Sequence, residues 1–241
     1  MIYIPSYLNK GSDDEEEVSA VEIKGKKITF WTIITNRRAM MCAVSSIFAM
    51  IFMLFMDTIL SNYLIDEMKV DENYVGYFFA LPCLIYTISC PIVGYATKFV
   101  PRLYLNQLAF LICFVGMLMF GPSKVFGFPQ NLVLSTVGNC IDGFACALIF
   151  VPLLSEIVDA VKEKEGLSEV SDDLNDLAAG FFNTSYAIGC LFAPILGGAF
   201  KDWVGFRSTC DIFAFASLGY ALIFFVLSVI PHLQKQSKTK S

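Results

Sequence analysis

The chain has 241 residues, 56% of them hydrophobic, 15% aromatic and only 16% charged, with a net charge of −5. A soluble domain of this size carries about a quarter charged residues, so an ordinary water-soluble core is excluded. The acidic balance, and the lack of a basic stripe interleaved with aromatics, give no support for nucleic-acid binding.

Residues 1–38 are polar and read as a hydrophilic tail. Gly11 to Glu17 has the composition of a disordered segment. Lys24 to Arg38 is basic and is expected to run along a membrane surface, with the Phe30-Trp31 pair at the interface. The first apolar run after the tail is too long for the core of a signal peptide.

Six apolar runs follow, at roughly 39–63, 74–97, 103–121, 131–158, 177–200 and 209–230, before a basic tail at 231–241. A helix rises about 1.5 Å per residue, so about 20 residues cross the ~30 Å hydrocarbon layer. Isolated strands would leave backbone groups unpaired in lipid, so the runs read as helices. The predicted fold is an all-α integral membrane protein with six transmembrane helices.

Lys and Arg set the expected orientation. With the N-terminus inside, the tails and the second and fourth loops hold 13 of the 17 basic residues. The outer loops hold only Lys69, Lys124, Lys201 and Arg207. The positive-inside rule therefore puts both termini in the cytoplasm, with vesicular and plasma membranes left open.

The first run contains Asp57 between apolar neighbours, MIFMLFMDTILSNYL. A carboxylate at the centre of a spanning helix costs about 2.5–3.5 kcal/mol on insertion scales, and such residues face a cavity or a partner. Asp57 reads as a proton or cation site, or as a carboxylate near the outer end reaching interface water. In the second run Tyr86 lies between Pro82 and Pro91. The prolines predict a bent or broken helix, and Tyr86 either lines a path for an organic cation or packs against neighbours.

The fourth run, VGNCIDGFACALIFVP, places Asn139, Asp142 and Cys146 at i, i+3 and i+7 on one face. The stripe suits a cavity wall or an interhelical hydrogen bond, and Gly138 and Gly143 would let a neighbouring helix approach. In the fifth run Gly189, Ala193 and Gly197 recur every four residues, a spacing that packs helices closely in lipid. Pro194 is expected to bend that helix, while Asn183, Tyr186 and Cys190 form a second polar stripe.

The eight cysteines lie in or beside apolar runs, with no CxxC pair, and read as packing residues. His232 is the sole histidine, which argues against a His-based triad or a zinc site. No phosphate-binding GxxxxGK[ST] loop occurs. No enzyme, metal or cofactor is expected.

Several of these segments together resemble the carboxyl-terminal half of a major facilitator superfamily transporter, nearest to its vesicular amine and polyamine transporter-like branch. FMDTILSNYLIDEM is similar to the seventh helix of that branch, with Asp57 at its acidic position. VGYFFALPCLIYTISCPIVGYATKFVPR resembles the eighth helix and its following loop; Gly94, Lys98 and Arg102 match, while Thr97 stands where an acidic residue is usual. VPLLSEIVDAVKEKEG and LAAGFFNTSYAIGCLFAPILGGAFKDWVGFR resemble the tenth and eleventh helices, including Pro152 and the Pro194 to Gly198 segment. Monoamine members carry an acidic residue at a register near Ala147, and Asp142 lies about a turn and a half earlier.

The resemblance implies proton-coupled antiport of a small organic cation such as an amine or polyamine. Taken with the polar stripes above, Asp57, Tyr86, Asn139, Asp142, Asn183 and Tyr186 are expected to line the pathway. Gly94, Arg102, Pro152, Gly189, Pro194, Gly197 and Gly198 are expected to serve packing and gating. Members have twelve helices in two halves, so a second six-helix half or a homodimer is an expected partner besides the lipid bilayer. The alternative is a six-helix membrane subunit with a regulatory or assembly role and no transport cycle.

Overall fold

The structure, a computed structural model, describes residues 20–23, 26–167 and 170–234. A short antiparallel hairpin, β1 (Ala20–Ile23) and β2 (Lys26–Thr29), pairs Ala20 with Thr29 and leads into a five-residue helix, α1 (Phe30–Ile34). Six long helices follow: α2 (Arg37–Asn62), α3 (Glu72–Ala96), α4 (Arg102–Phe120), α5 (Leu132–Glu165), α6 (Asp172–Val204) and α7 (Phe206–Phe224). Each is long and apolar enough to cross a membrane. Among the described residues the fold is all-α apart from the hairpin. One π-helical turn prolongs α2 (Tyr63–Glu67) and another prolongs α7 (Phe225–Val229).

Polar residues set the helix ends where hydropathy alone is silent. The side chains of Asn36, Asp71, Asn131 and Ser171 each accept a first-turn N–H, at the starts of α2, α3, α5 and α6. Asp172 and Asp173 add negative charge to the first turn of α6, where the helix dipole favours it. Gly166, at φ 68°, stops α5 in the left-handed conformation that a side chain disfavours. Thus α5 and α6 run beyond the apolar stretches 131–158 and 177–200 as more polar helix.

Central in the bundle are α2 and α5. On one side α4 and α7 pack against them through a phenylalanine core. Phe52 meets Phe110 edge-on, and Phe55 lies 4.2 Å from Phe213 between ring centroids. On the other side α3 and α6 are the least buried of the six.

Small residues set the close approaches. A Cβ on Gly189 would meet Met50 and the Ile47 backbone, and one on Gly197 would meet Phe55, so this pair seats α6 on α2. Gly138 faces the α4 backbone at Phe120 and Gly116. Gly143 faces Pro82 of α3. Gly94 and Gly198 face open space, and Pro194 is exposed.

The sequence predicts a bent or broken helix at Pro82 and Pro91, and of these two outcomes a break is ruled out, because the helix is continuous through both prolines. A proline removes one ladder bond, and the carbonyl four residues back must find another donor. The Phe78 carbonyl, freed by Pro82, accepts from Asn139 Nδ2 of α5 at 2.7 Å. The neighbouring helix supplies the missing donor, and the turn survives.

Candidate functional site

The exposed side of the bundle carries a groove along α2. Met50, Met53 and Asp57 follow one another at i, i+3 and i+7, which puts them on one helix face. Met53 is shared by two adjoining cavities. The first, about 50 Å³, lies between α2, α3 and α5; Asp57, Pro82, Asn139, Asp142 and Cys146 line it. The second, about 300 Å³, is lined by Met50, Tyr86, Phe150, Phe182 and Tyr186.

Asp142 is the buried acid of the site, 2% exposed. Neither carboxylate oxygen has a hydrogen-bond partner among the described residues. Room for it comes from α4: a Cβ on Gly116 would collide with Asp142 Oδ1. The Cys113 thiol, also on α4, lies near enough to interact with it. Asp142 is ten residues from the start of α5, about 15 Å along the axis, which is half the hydrocarbon thickness.

Asp57 is arranged differently. Its side chain is exposed on the open side of the bundle, with no ion pair among the described residues. It lies ten residues before the end of the π-helical turn at Glu67, again about 15 Å along the helix. The two carboxylates therefore enter one cavity at similar depth, one from its floor and one from its rim.

The aromatic part of the groove is a cluster. The Phe150 ring centroid is 5.9 Å from Tyr186 and 6.4 Å from Phe182, and Phe182 is 6.3 Å from Tyr186. Tyr86 closes the cavity from α3. The faces of such rings attract cations, most strongly when water is excluded.

Of the residues singled out from the sequence, Asp57, Asn139 and Asp142 line the first cavity, and Tyr86 and Tyr186 the second. Asn183 is exposed on α6 and lines neither. Asn139 also closes the backbone gap above Pro82, so its amide donor is engaged within the fold. Sequence reasoning missed Met53, Phe150 and Phe182, whose apolar character blends into their runs. It also missed Gly116, whose one signal is a small residue among the large ones of LICFVGMLMF.

At one end of the bundle the charges are paired. Arg38, at the start of α2, donates to Glu156 at 2.5 Å and to Glu163 at 2.7 Å, both on α5. Arg102, at the start of α4, pairs with Asp159 of α5 and donates to the Ser155 carbonyl at 3.3 Å. Thr97, at the usual acidic position of that loop, instead donates its hydroxyl to the Gly94 carbonyl at 2.7 Å. The acidic partner of Arg102 thus comes from α5. Pro152, one turn before Glu156, is buried in the same region.

No protein-family model matches the chain. It is similar to the MFS-type transporter SLC18B1 of Homo sapiens, 28% identical over 158 residues, covering 64% of this chain and 34% of the relative. It is 26% identical to the protein of that name from Rattus norvegicus over 208 residues, covering 83% and 45%. The Mus musculus protein is 25% identical over 183 residues, covering 75% and 39%. The match thus spans less than half the length of each of these relatives.

Proposed function

The chain is a homologue of MFS-type transporters and its six helices fit one half of that fold; from this premise we propose that it is a proton-coupled antiporter of an organic cation, or the second half of one. The observation that carries the reading is Asp142, a buried carboxylate at mid-membrane depth with no basic partner among the described residues, opening into the same cavity as Asp57. A carboxylate in that setting is stable when it holds a proton or faces a bound cation. Competition between the two for one site is the elementary step of antiport. One or both acids release a proton as an ammonium group enters, and take it back as the cation leaves on the other side.

The aromatic cavity supplies the second contact. Tyr86, Phe150, Phe182 and Tyr186 offer ring faces beside the acidic cavity, which suits an amine or polyamine carrying apolar segments between or beside its charges. Asn183, on the open face, would meet substrate from the far side of the assembled pathway.

The open side is where the pathway is completed. Exposed Asp57 and the little-buried helices α3 and α6 all lie on it. A preceding six-helix half, or a second copy of this chain, would close the groove, and rocking of the two bodies would alternate access. Gly189 and Gly197 hold α6 to α2 during that motion. The Arg38 and Arg102 ion pairs hold the ends of α2, α4 and α5 together, while Gly94 and Gly198, with open space at their Cβ positions, and exposed Pro194 are left for the moving or partner-facing surface. The paired-charge end carries Arg37, Arg38, Lys98, Arg102, Lys162 and Lys164, so the positive-inside rule supports a cytoplasmic placement of that end and of both termini.

Uptake of radiolabelled amines and polyamines into proteoliposomes holding the assembled protein, driven by an imposed pH gradient, tests this. Asp142→Asn and Asp57→Asn are each expected to reduce gradient-driven uptake to background. Unchanged uptake in both variants rules out proton coupling at this cavity.

A further inference from the structure

The polar tail does not end where the membrane begins. Its last part folds into a strap, made of β1, β2 and α1, that is fastened across one end of the bundle. Ile28 and Ile33 are fully buried. Phe30 packs over Gly180 of α6, where an added Cβ would lie 3.4 Å from the ring. Asn36 Nδ2 donates to the Ala160 carbonyl at 2.7 Å, and Lys164 Nζ donates to Thr35 Oγ1 at 3.0 Å. These contacts fix the strap's height against α5 and α6.

That height can be read from α6. Of the chain's two tryptophans, Trp203 is 78% exposed near the end of α6, and Trp31 is 70% exposed on the strap. Gly180, beneath Phe30, lies 23 residues before Trp203, about 35 Å along the helix. The hydrocarbon layer is about 30 Å thick and the headgroup layers bring the bilayer to about 40–45 Å. The two tryptophans therefore stand at opposite interfaces, the usual place for this residue type. Ile34, also exposed, adds an apolar contact beside Trp31.

Charge decides which surface the strap fits. From Ala20 to Arg37 the sequence holds Lys24, Lys26, Lys27 and Arg37 against the single acid Glu22. Arg37 is exposed and makes no ion pair among the described residues, unlike its neighbour Arg38. The geometry points to the strap as a docking surface for the anionic phospholipid headgroups at this end of the bundle. Trp31 and Ile34 enter the interface, with exposed Arg37 beside them, and the basic sequence of the strap matches the negative charge of the headgroup layer. Membrane insertion alone underlies this inference, which holds whether or not the chain transports.

A single-tryptophan form, Trp203→Phe, makes Trp31 the sole indole reporter. The protein is reconstituted in nanodiscs containing brominated phosphatidylserine or, at equal bromine content, brominated phosphatidylcholine. Trp31 fluorescence is expected to be quenched at least about twofold more by the anionic lipid, because juxtamembrane basic residues concentrate anionic lipids around them. The excess quenching should disappear in 0.5 M salt, about the ionic strength that screens such attraction, and in Lys24→Gln/Lys26→Gln/Lys27→Gln. Equal quenching by both lipids overturns headgroup selection. Quenching by aqueous iodide with none by either lipid overturns membrane docking, and protection from all three quenchers shows a protein partner on the strap instead.

Discussion

The paired-charge end of the bundle and its mid-depth groove use the same residue types to opposite effect. At the end, Glu156 is 4% exposed and yet fully engaged by Arg38, which also holds Glu163, while Arg102 holds Asp159. In the groove, Asp142 is equally buried and only the weakly donating Cys113 thiol lies near it, and among the described residues no basic residue pairs with Asp142 or Asp57. Some polar groups inside the bundle are paired, although Asn106 Oδ1 accepts no bond among the described residues. Asn106 donates to Ser45 at 2.8 Å, Ser45 and Tyr220 are joined at 2.9 Å, and Tyr220 donates to the Met41 carbonyl at 2.8 Å. A buried carboxylate without a basic partner is costly in lipid, and the proposed function supplies that partner as a proton or a cation.

Three substitutions break or sharpen this contrast, each read by thermal or denaturant unfolding of the protein in detergent. The largest effect is expected for Arg38→Ala, which strands Glu156. Removing one member of a buried pair costs about 3–5 kcal/mol. Arg38 is 28% exposed on its side chain, so the lower end, about 3 kcal/mol, applies. Replacing both partners by apolar residues, Arg38→Met with Glu156→Leu, should recover most of the loss. A cost below about 1 kcal/mol for the single variant would mean that solvent already screens the pair.

Tyr220→Phe comes next. It removes the hydroxyl that bonds Ser45 and the Met41 carbonyl but keeps the ring stacked on Phe48 at 4.7 Å. A loss of about 1 kcal/mol is expected, the net worth of an ordinary hydrogen bond. The smallest effect belongs to Asp142→Asn, which is nearly isosteric and breaks no ion pair among the described residues, so stability should move by less than about 1 kcal/mol while gradient-driven uptake is lost. A destabilisation above about 2 kcal/mol would reveal a structural partner and make the carboxylate part of the scaffold.

Legibility in the sequence followed the range of the physics. Six spans could be read because each must satisfy its own backbone and cover the hydrocarbon with apolar side chains, both local requirements. The stripe Asn139, Asp142 and Cys146 was legible for the same reason, since helical periodicity alone puts the three on one face. The glycine spacing of α6 announced a close approach, and the structure supplied Met50 and Phe55 of α2 as the surface approached. The polar extensions of α5 and α6 were harder, because hydropathy ends at the membrane while the helix, held by Ser171 and Gly166, does not.

What the sequence by itself determined is the six-helix membrane plan and the short roster of acids that lipid makes costly. Only the tertiary structure decided how those acids differ. Arg38 meets Glu156 across 118 residues of chain, and Arg102 meets Asp159 across 57. Asp142 fits against Gly116 on another helix, and Asp57 turns to the open side. Partners that distant are set by which helices pack together, and packing depends on the close approaches at Gly138, Gly143, Gly189 and Gly197 rather than on the local pattern around any one carboxylate.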